Sequence, residues 1–162
     1  MKKLAVLATA FLLACPAAAL WAMGDEPSPA PRSPRNADYD AGKKAIEAHN
    51  YRAALESFNR AAQKEPNSAD VQNYIGYTYR EMGNLDMAFK HYEAALSIDP
   101  RHKGALEYVG EAYLIVGNLP KAEEKLAQLD KVCVFSCEQY RDLKQAIAEY
   151  KKNGTKPGTA GR

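Results

Sequence analysis

The chain has 162 residues, 46% of them hydrophobic, with 22 Lys and Arg against 20 Asp and Glu and a net charge of +2. That length and composition predict one domain with a core of ordinary size. Lys2 and Lys3 account for the excess positive charge, so the remainder is neutral and neither nucleic acid nor an anionic membrane is expected as a partner.

In chain order, residues 1–22 predict a signal peptide. Lys2-Lys3 form a positive n-region, Leu4 to Leu13 an apolar h-region, and Ala17-Ala18-Ala19 and Ala22 supply small residues for cleavage. The apolar run is too short to span a bilayer. Cleavage after Ala19 or Ala22 gives an exported, periplasmic protein. A second reading uses Leu12-Leu13-Ala14-Cys15, which resembles a bacterial lipobox and implies anchoring to the outer membrane through Cys15. Leu13 is bulky for the penultimate lipobox position, and Pro16 directly after the cysteine is unusual. Membrane contact is expected only in this second case, and both readings take the mature chain out of the cytoplasm. Residues 23–36, with Pro27, Pro29, Pro31 and Pro34, predict an extended, disordered linker that buries no core.

The next hundred residues are periodic. Gly42, Gly76 and Gly110 recur every 34 residues, as do Asn50, Asn84 and Asn118, and Ala54, Ala88 and Ala122. A period of that length predicts a solenoid of stacked helical hairpins. Three copies are expected within 37–134, at about 35–68, 69–102 and 103–136. Small residues at the Gly76 and Ala88 columns let the two helices of a hairpin approach closely. Tyr79 and Tyr92, Phe58 and Leu126 are expected to fill the space between neighbouring units. Each repeated Asn stands before an apolar run, where its side chain caps a helix N-terminus. Gly83 and Gly117 suit the left-handed residue that ends the preceding helix. Pro120 falls in a first helical turn, where a missing N–H costs little, while Pro66 and Pro100 stop the second helices.

Copies two and three carry Ile75-Gly76, Tyr79, Ala88, Tyr92, Ala95 and Pro100, and then Leu106, Val109-Gly110, Tyr113, Ala122 and Leu126. These positions follow the pattern W-x2-L-G-x2-Y, A-x3-F, P, and from Asp38 to Val134 the chain resembles the tetratricopeptide-repeat family. Copy one fits less well, with Asp38, Ala41 and Ala45 where larger apolar residues are usual. The fold expected is an all-α tetratricopeptide solenoid of three helix-turn-helix repeats with a C-terminal capping helix.

That capping helix is predicted over 137–151, because Tyr140, Leu143, Ile147 and Tyr150 share one face. Ser136 and Gln139 have the spacing of a capping box at its start. Val134 stands where copy three should have its proline, within Cys133-Val134-Phe135-Ser136-Cys137. Cys133 is read as the end of one helix and Cys137 as the start of the next, since a turn between them permits a disulfide that a continuous helix forbids. With Cys15 removed or lipidated, two cysteines remain for an oxidising compartment. The alternatives are a redox pair, for which neither C-x-x-C spacing nor a βαβ context is present, a metal site, for which no second ligand pair lies nearby, and two free thiols. Residues 152–162, with three glycines and a proline, predict a disordered tail.

Catalytic chemistry is not expected. His49, His91 and His102 fall at different repeat positions, and no H-E-x-x-H, G-x-S-x-G, P-loop or G-x-G-x-x-G occurs; no cofactor or metal is implied. The resemblance implies instead a concave face lined by first helices that takes a protein or peptide partner. By repeat position its candidate residues are Tyr39, Lys43, Ile46, Asn73, Tyr77, Arg80, Glu107, Glu111 and Leu114, each weighed against ordinary solvated surface. Their aromatic, amide and mixed-charge character fits an extended peptide or partner helix. The carboxylate clamp of chaperone-binding members is not expected, because Tyr39 and Lys43 stand at its first pair and Gly104 and Tyr108 at its second. A non-catalytic adaptor or scaffold of the cell envelope is thus the expected function. The alternatives are an outer-membrane lipoprotein that assists assembly and a thiol-redox protein using Cys133 and Cys137.

Overall fold

The structure is a computed structural model that describes residues 36–154. The expected signal peptide, Cys15, the proline-rich linker up to residue 35 and the tail beyond residue 154 lie outside the described residues.

Seven helices make up the described residues: α1 Ala37–Glu47, α2 Tyr51–Lys64, α3 Ala69–Glu81, α4 Leu85–Ile98, α5 Lys103–Ile115, α6 Leu119–Val132 and α7 Glu138–Asn153. They pair as the hairpins α1/α2, α3/α4 and α5/α6, each packed on the next, with α7 against both α5 and α6. The result is an all-α solenoid.

Local chemistry sets the boundaries. Asn50, Asn84 and Asn118 accept from the backbone N–H of Ala53, Met87 and Lys121, each at 3.2 Å, and so start the three second helices. Asn36, Ser68 and His102 do the same for the first helices, His102 through Nδ1, 3.0 Å from the Ala105 N–H. The turn inside each hairpin needs a left-handed residue. Gly83 and Gly117 supply it at φ 78° and 80°, and in copy one the same column holds His49 at φ 54°. A non-glycine residue there is strained by its Cβ. Pro120 sits in the first turn of α6 as expected.

The repeated small residues bring the hairpins together. A Cβ added to Gly42 would lie 2.6 Å from the Phe58 ring, and one on Gly76 would lie 2.7 Å from the Tyr92 ring and 3.1 Å from the Ala88 carbonyl oxygen. Phe58 and Tyr92 are fully buried, as are Ala54, Ala61, Ala88 and Ala95. Copy one compensates for its polar column: Asp38 pairs with Arg60 at 2.9 Å and with Lys64, tying α1 to α2. Tyr39 packs edge-on against both Phe58 and Tyr74.

Copy three departs from the expected pattern. Leu126 is shorter than Phe58 or Tyr92 and is only partly buried. The side chain against Gly110 is instead Leu143 of α7, whose methyl would lie 2.6 Å from an added Cβ. α7 therefore completes the hairpin that it caps, and Leu114, Leu129, Leu143 and Ile147 form one core cluster.

The connection to α7 also differs in part. Cys133 caps α6, and the turn that follows brings it to Cys137, with the two sulfurs bonded and the Cα atoms 5.5 Å apart. Ser136 has φ 47°, and the residue that starts α7 is Cys137, with no side-chain capping bond. The capping box is thus absent, because the tight turn rotates Ser136 out of the capping position. α7 extends to Asn153, into the stretch read as tail, and closes on left-handed Gly154. Val134 and Phe135 point outward, Phe135 at 94% exposure.

Two substitutions test this packing. Gly76→Ala improves helix propensity but overpacks against Tyr92 and a backbone carbonyl, so a net loss of about 1–3 kcal/mol is expected in denaturant unfolding. His49→Gly relieves the left-handed strain and should raise stability by about 1 kcal/mol. Unchanged stability in Gly76→Ala would contradict the close approach of α3 and α4.

Candidate functional site

The inner face of the solenoid is formed by α1, α3 and α5, so the nine residues predicted for the groove come from three columns of the repeat. The first column is Tyr39, Asn73 and Glu107; the second is Lys43, Tyr77 and Glu111; the third is Ile46, Arg80 and Leu114. The second column is the open one. Lys43 is exposed, and Tyr77 and Glu111 are half-buried. Ile46 and Tyr39 are half-buried as well, although Tyr39 spends most of its ring on the packing described above.

The other four are buried, which corrects the expectation that they line an open surface. Leu114 is fully buried in the cluster under α7, because α7 occupies the position that the first helix of a fourth copy would take. It offers nothing to a partner. Asn73, Arg80 and Glu107 are 3%, 8% and 7% exposed. They form the floor of the groove, since each first helix is flanked closely by the next.

Arg80 organises that floor. Its guanidinium lies 5.2 Å from the Tyr77 ring centroid and 5.3 Å from that of Tyr108. It pairs with Glu81 at 3.2 Å and with Glu111. Burial opposes its charge, but Tyr92, Glu111 and Glu81 more than offset that, and its pKa is raised. A delocalised, weakly hydrated cation suits such a stacked and doubly paired position better than lysine would. Even so, the Arg80 Nε and the Tyr92 hydroxyl, both buried, have no hydrogen-bond partner, and neither has the Asn73 Oδ1.

Glu107 lies one turn before Glu111 on α5. Burial pushes its carboxyl up to about 8, reinforced by Glu111, Asp142 and Glu138 and opposed by Arg80. A cleft of about 210 Å³ opens along the first helices, lined by Lys43, Ile46 and Glu47 of α1, Tyr74 and Tyr77 of α3, and Tyr108 of α5. Tyr77 and Tyr108 meet at 5.2 Å between centroids, and the Lys43 Nζ stands 5.8 Å from the Tyr74 centroid. Burial raises the Tyr77 hydroxyl to about 12, with Glu81 adding to it.

Tyr74, Glu47 and Tyr108 were not among the predicted groove residues. Their signal was present: Tyr74 and Tyr108 share a column 34 residues apart that belongs to neither the Gly nor the Ala core columns. Both rings also pack inward, Tyr74 stacked on Phe58 at 5.4 Å and Tyr108 beside Tyr92 at 6.4 Å, so each leaves only part of its surface to the cleft. The cleft therefore has aromatic walls, with the Lys43 ammonium beside the Tyr74 ring and the Glu47 carboxylate among its lining. Among the described residues no group of three or more His, Cys, Asp or Glu is arranged to hold a metal ion.

Comparisons with known proteins agree with this architecture. The family model described as Tetratricopeptide repeat matches residues 69–102, the central hairpin. A search of curated proteins finds no match. Among solved structures, the Yersinia enterocolitica type III secretion translocator chaperone SycD superposes with a TM-score of 0.65 at 16% identity, covering 73% of this chain and 83% of that one. SycD in complex with a peptide of the translocator YopD gives 0.61 at 16%, covering 72% and 88%. The first tetratricopeptide repeat domain of Spaghetti (RPAP3), bound to the HSP90 peptide SRMEEVD, gives 0.63 at 14%, covering 72% and 94%. At such identities the likeness is one of fold, and it coincides with the 34-residue period, the capped hairpins and the glycine contacts. Residues 69–102 thus carry a tetratricopeptide repeat, and the described helices share the fold of these tetratricopeptide-repeat structures.

Proposed function

We propose that the chain is a non-catalytic adaptor of the cell envelope that docks an extended segment of a partner protein along its concave face. The observation that carries this reading is the open cleft walled by Tyr74, Tyr77 and Tyr108 with Lys43 at its mouth. Rigid aromatic walls offer large contact area at little conformational cost, and an adjoining charge fixes orientation. Two structures with this fold hold peptides, one of YopD and one of HSP90, which supports the same use of the face here. The HSP90 peptide is acidic, and this chain has Gly104 and Tyr108 where a clamp for such a tail would need basic residues, so a different sequence class is recognised.

The envelope location rests on the leader over residues 1–22 and on Cys133 and Cys137, which are bonded across a short turn. The disulfide is a structural staple that fixes the path from α6 into the capping helix. Lipid anchoring through Cys15 is the form of this reading that Leu12-Leu13-Ala14-Cys15 favours, and the mass of the processed N-terminus separates the two.

Capture from envelope extract on the immobilised mature chain tests the binding face. Tyr77→Ala and Tyr108→Ala should each weaken the captured partner by about 2 kcal/mol, roughly 30-fold in Kd, while Glu93→Ala on α4 leaves it unchanged. Undiminished capture by both tyrosine variants would exclude the concave face. For the staple, mild reductant should lower unfolding stability by about 2 kcal/mol, the loop-entropy value for so short a ring. If the pair is instead found reduced in protein isolated under alkylating conditions, the structural role fails.

A further inference from the structure

The first helices α1, α3 and α5 are capped by Asn36, Ser68 and His102. An amide or hydroxyl oxygen accepts a hydrogen bond at any ordinary pH, whereas an imidazole nitrogen accepts only while it carries no proton. His102 uses both of its ring nitrogens. Nδ1 lies 3.0 Å from the Ala105 backbone nitrogen, and Nε2 lies 3.0 Å from Asp70 Oδ1 in the first turn of α3. The Ala105 N–H can only donate, so Nδ1 is the bare nitrogen and the ring proton sits on Nε2, from where it donates to Asp70. The two contacts thus fix one tautomer of the neutral ring. They also join copies two and three, because the residue that starts α5 is held by α3.

The cap has little slack. The His102 side chain is 14% exposed, and Ala105 is fully buried. Ala105 is the third residue of α5, so its N–H has no acceptor within the helix. A Cβ on Gly104 would lie 3.1 Å from Asn73 Nδ2 and 3.5 Å from the His102 ring, which shows how closely the first turn of α5 is pressed against α3.

We propose that His102 is a proton-operated latch between copies two and three, closed while the ring is neutral and released when it becomes an imidazolium. A second proton makes both nitrogens donors. Nδ1–H then meets the Ala105 N–H head-on, and a positive charge stands at the positive end of the α5 dipole. The ring turns out or the first turn of α5 opens, and in either case Ala105 loses its cap. The charged groups that bear on the ring are Asp70, and Lys43 of α1 through its effect on Asp70; Asp99, Arg101 and Lys103 flank it in the chain. Asp99 accepts from the Arg101 backbone N–H at 2.9 Å. The hydrogen bond from His102 holds the Asp70 carboxyl below its ordinary range, so it stays a carboxylate in mild acid. It favours the imidazolium, yet its side chain is 68% exposed, and a pair so open to solvent is too weak to make up for the cap.

Asn36 and Ser68 carry no such device, so the effect is confined to one joint of the solenoid. Tyr77 and Tyr108 stand farther along the same two helices, 5.2 Å apart between centroids. The joint that a proton loosens is therefore also the one that sets two walls of the cleft side by side.

Long-range proton–nitrogen NMR of the imidazole in the mature chain, with amide hydrogen exchange followed from pH 8 to pH 5, tests the latch. The ring should carry its proton on Nε2 at pH 8. After correction for intrinsic exchange, protection of the Ala105 amide should fall about fivefold on acidification, the worth of a lost cap, while the Val71 amide under Ser68 holds. In His102→Asn, whose side chain caps at either pH, Ala105 protection should stay flat. A proton on Nδ1 at pH 8, an Ala105 amide indifferent to pH, or the same acid loss in His102→Asn would overturn the latch.

Discussion

A helical hairpin with one apolar face must bury that face against a neighbour, and a row of such hairpins has to be ended. In this chain the ending is α7, and much of the remaining structure follows from how it packs. It covers α5 and α6, delivers Leu143 to the surface of Gly110 and buries Leu114. In copies one and two that contact is made within the hairpin, by Phe58 on Gly42 and Tyr92 on Gly76. Copy three has Leu126 at the corresponding position, so its hairpin is finished by the helix that follows.

The same packing decides what the groove can offer. First helices placed close together bury the side chains between them, and the residues caught there are polar: Asn73, Arg80 and Glu107. Arg80 finds two carboxylates and two aromatic faces, and the floor is rigid around it. The Asn73 Oδ1, the Arg80 Nε and the Tyr92 hydroxyl find no hydrogen-bond partner. Leaving such groups unpaired is costly, whereas the aromatic cleft is lined by Tyr74, Tyr77 and Tyr108, which keep part of their surface open.

Much of the fold was legible in the sequence because its determinants are local and repeated. The 34-residue period, the three Asn caps, the left-handed Gly83 and Gly117, and the apolar face of α7 each depend on neighbours a few residues away. The groove was less legible, because openness depends on which helix lies across a residue. Ile46, Arg80 and Leu114 share a column, yet Ile46 is half-open, Arg80 is enclosed by α5 and Leu114 is sealed by α7. Tyr74 and Tyr108 were countable as a repeated column, but only the packing of α3 beside α5 turns them into walls. The Ser136 capping box failed on backbone geometry, a positive φ imposed by the turn between the two cysteines.

The central claim is that α7 and the flanking first helices desolvate the floor of the groove around Glu107. Carbon-detected NMR titration of the Glu107 side-chain carboxyl in the free protein measures this directly. The account predicts a midpoint near 8. A midpoint in the ordinary carboxylate range, near 4.3, would mean that the group is solvated and that the floor is not closed as described.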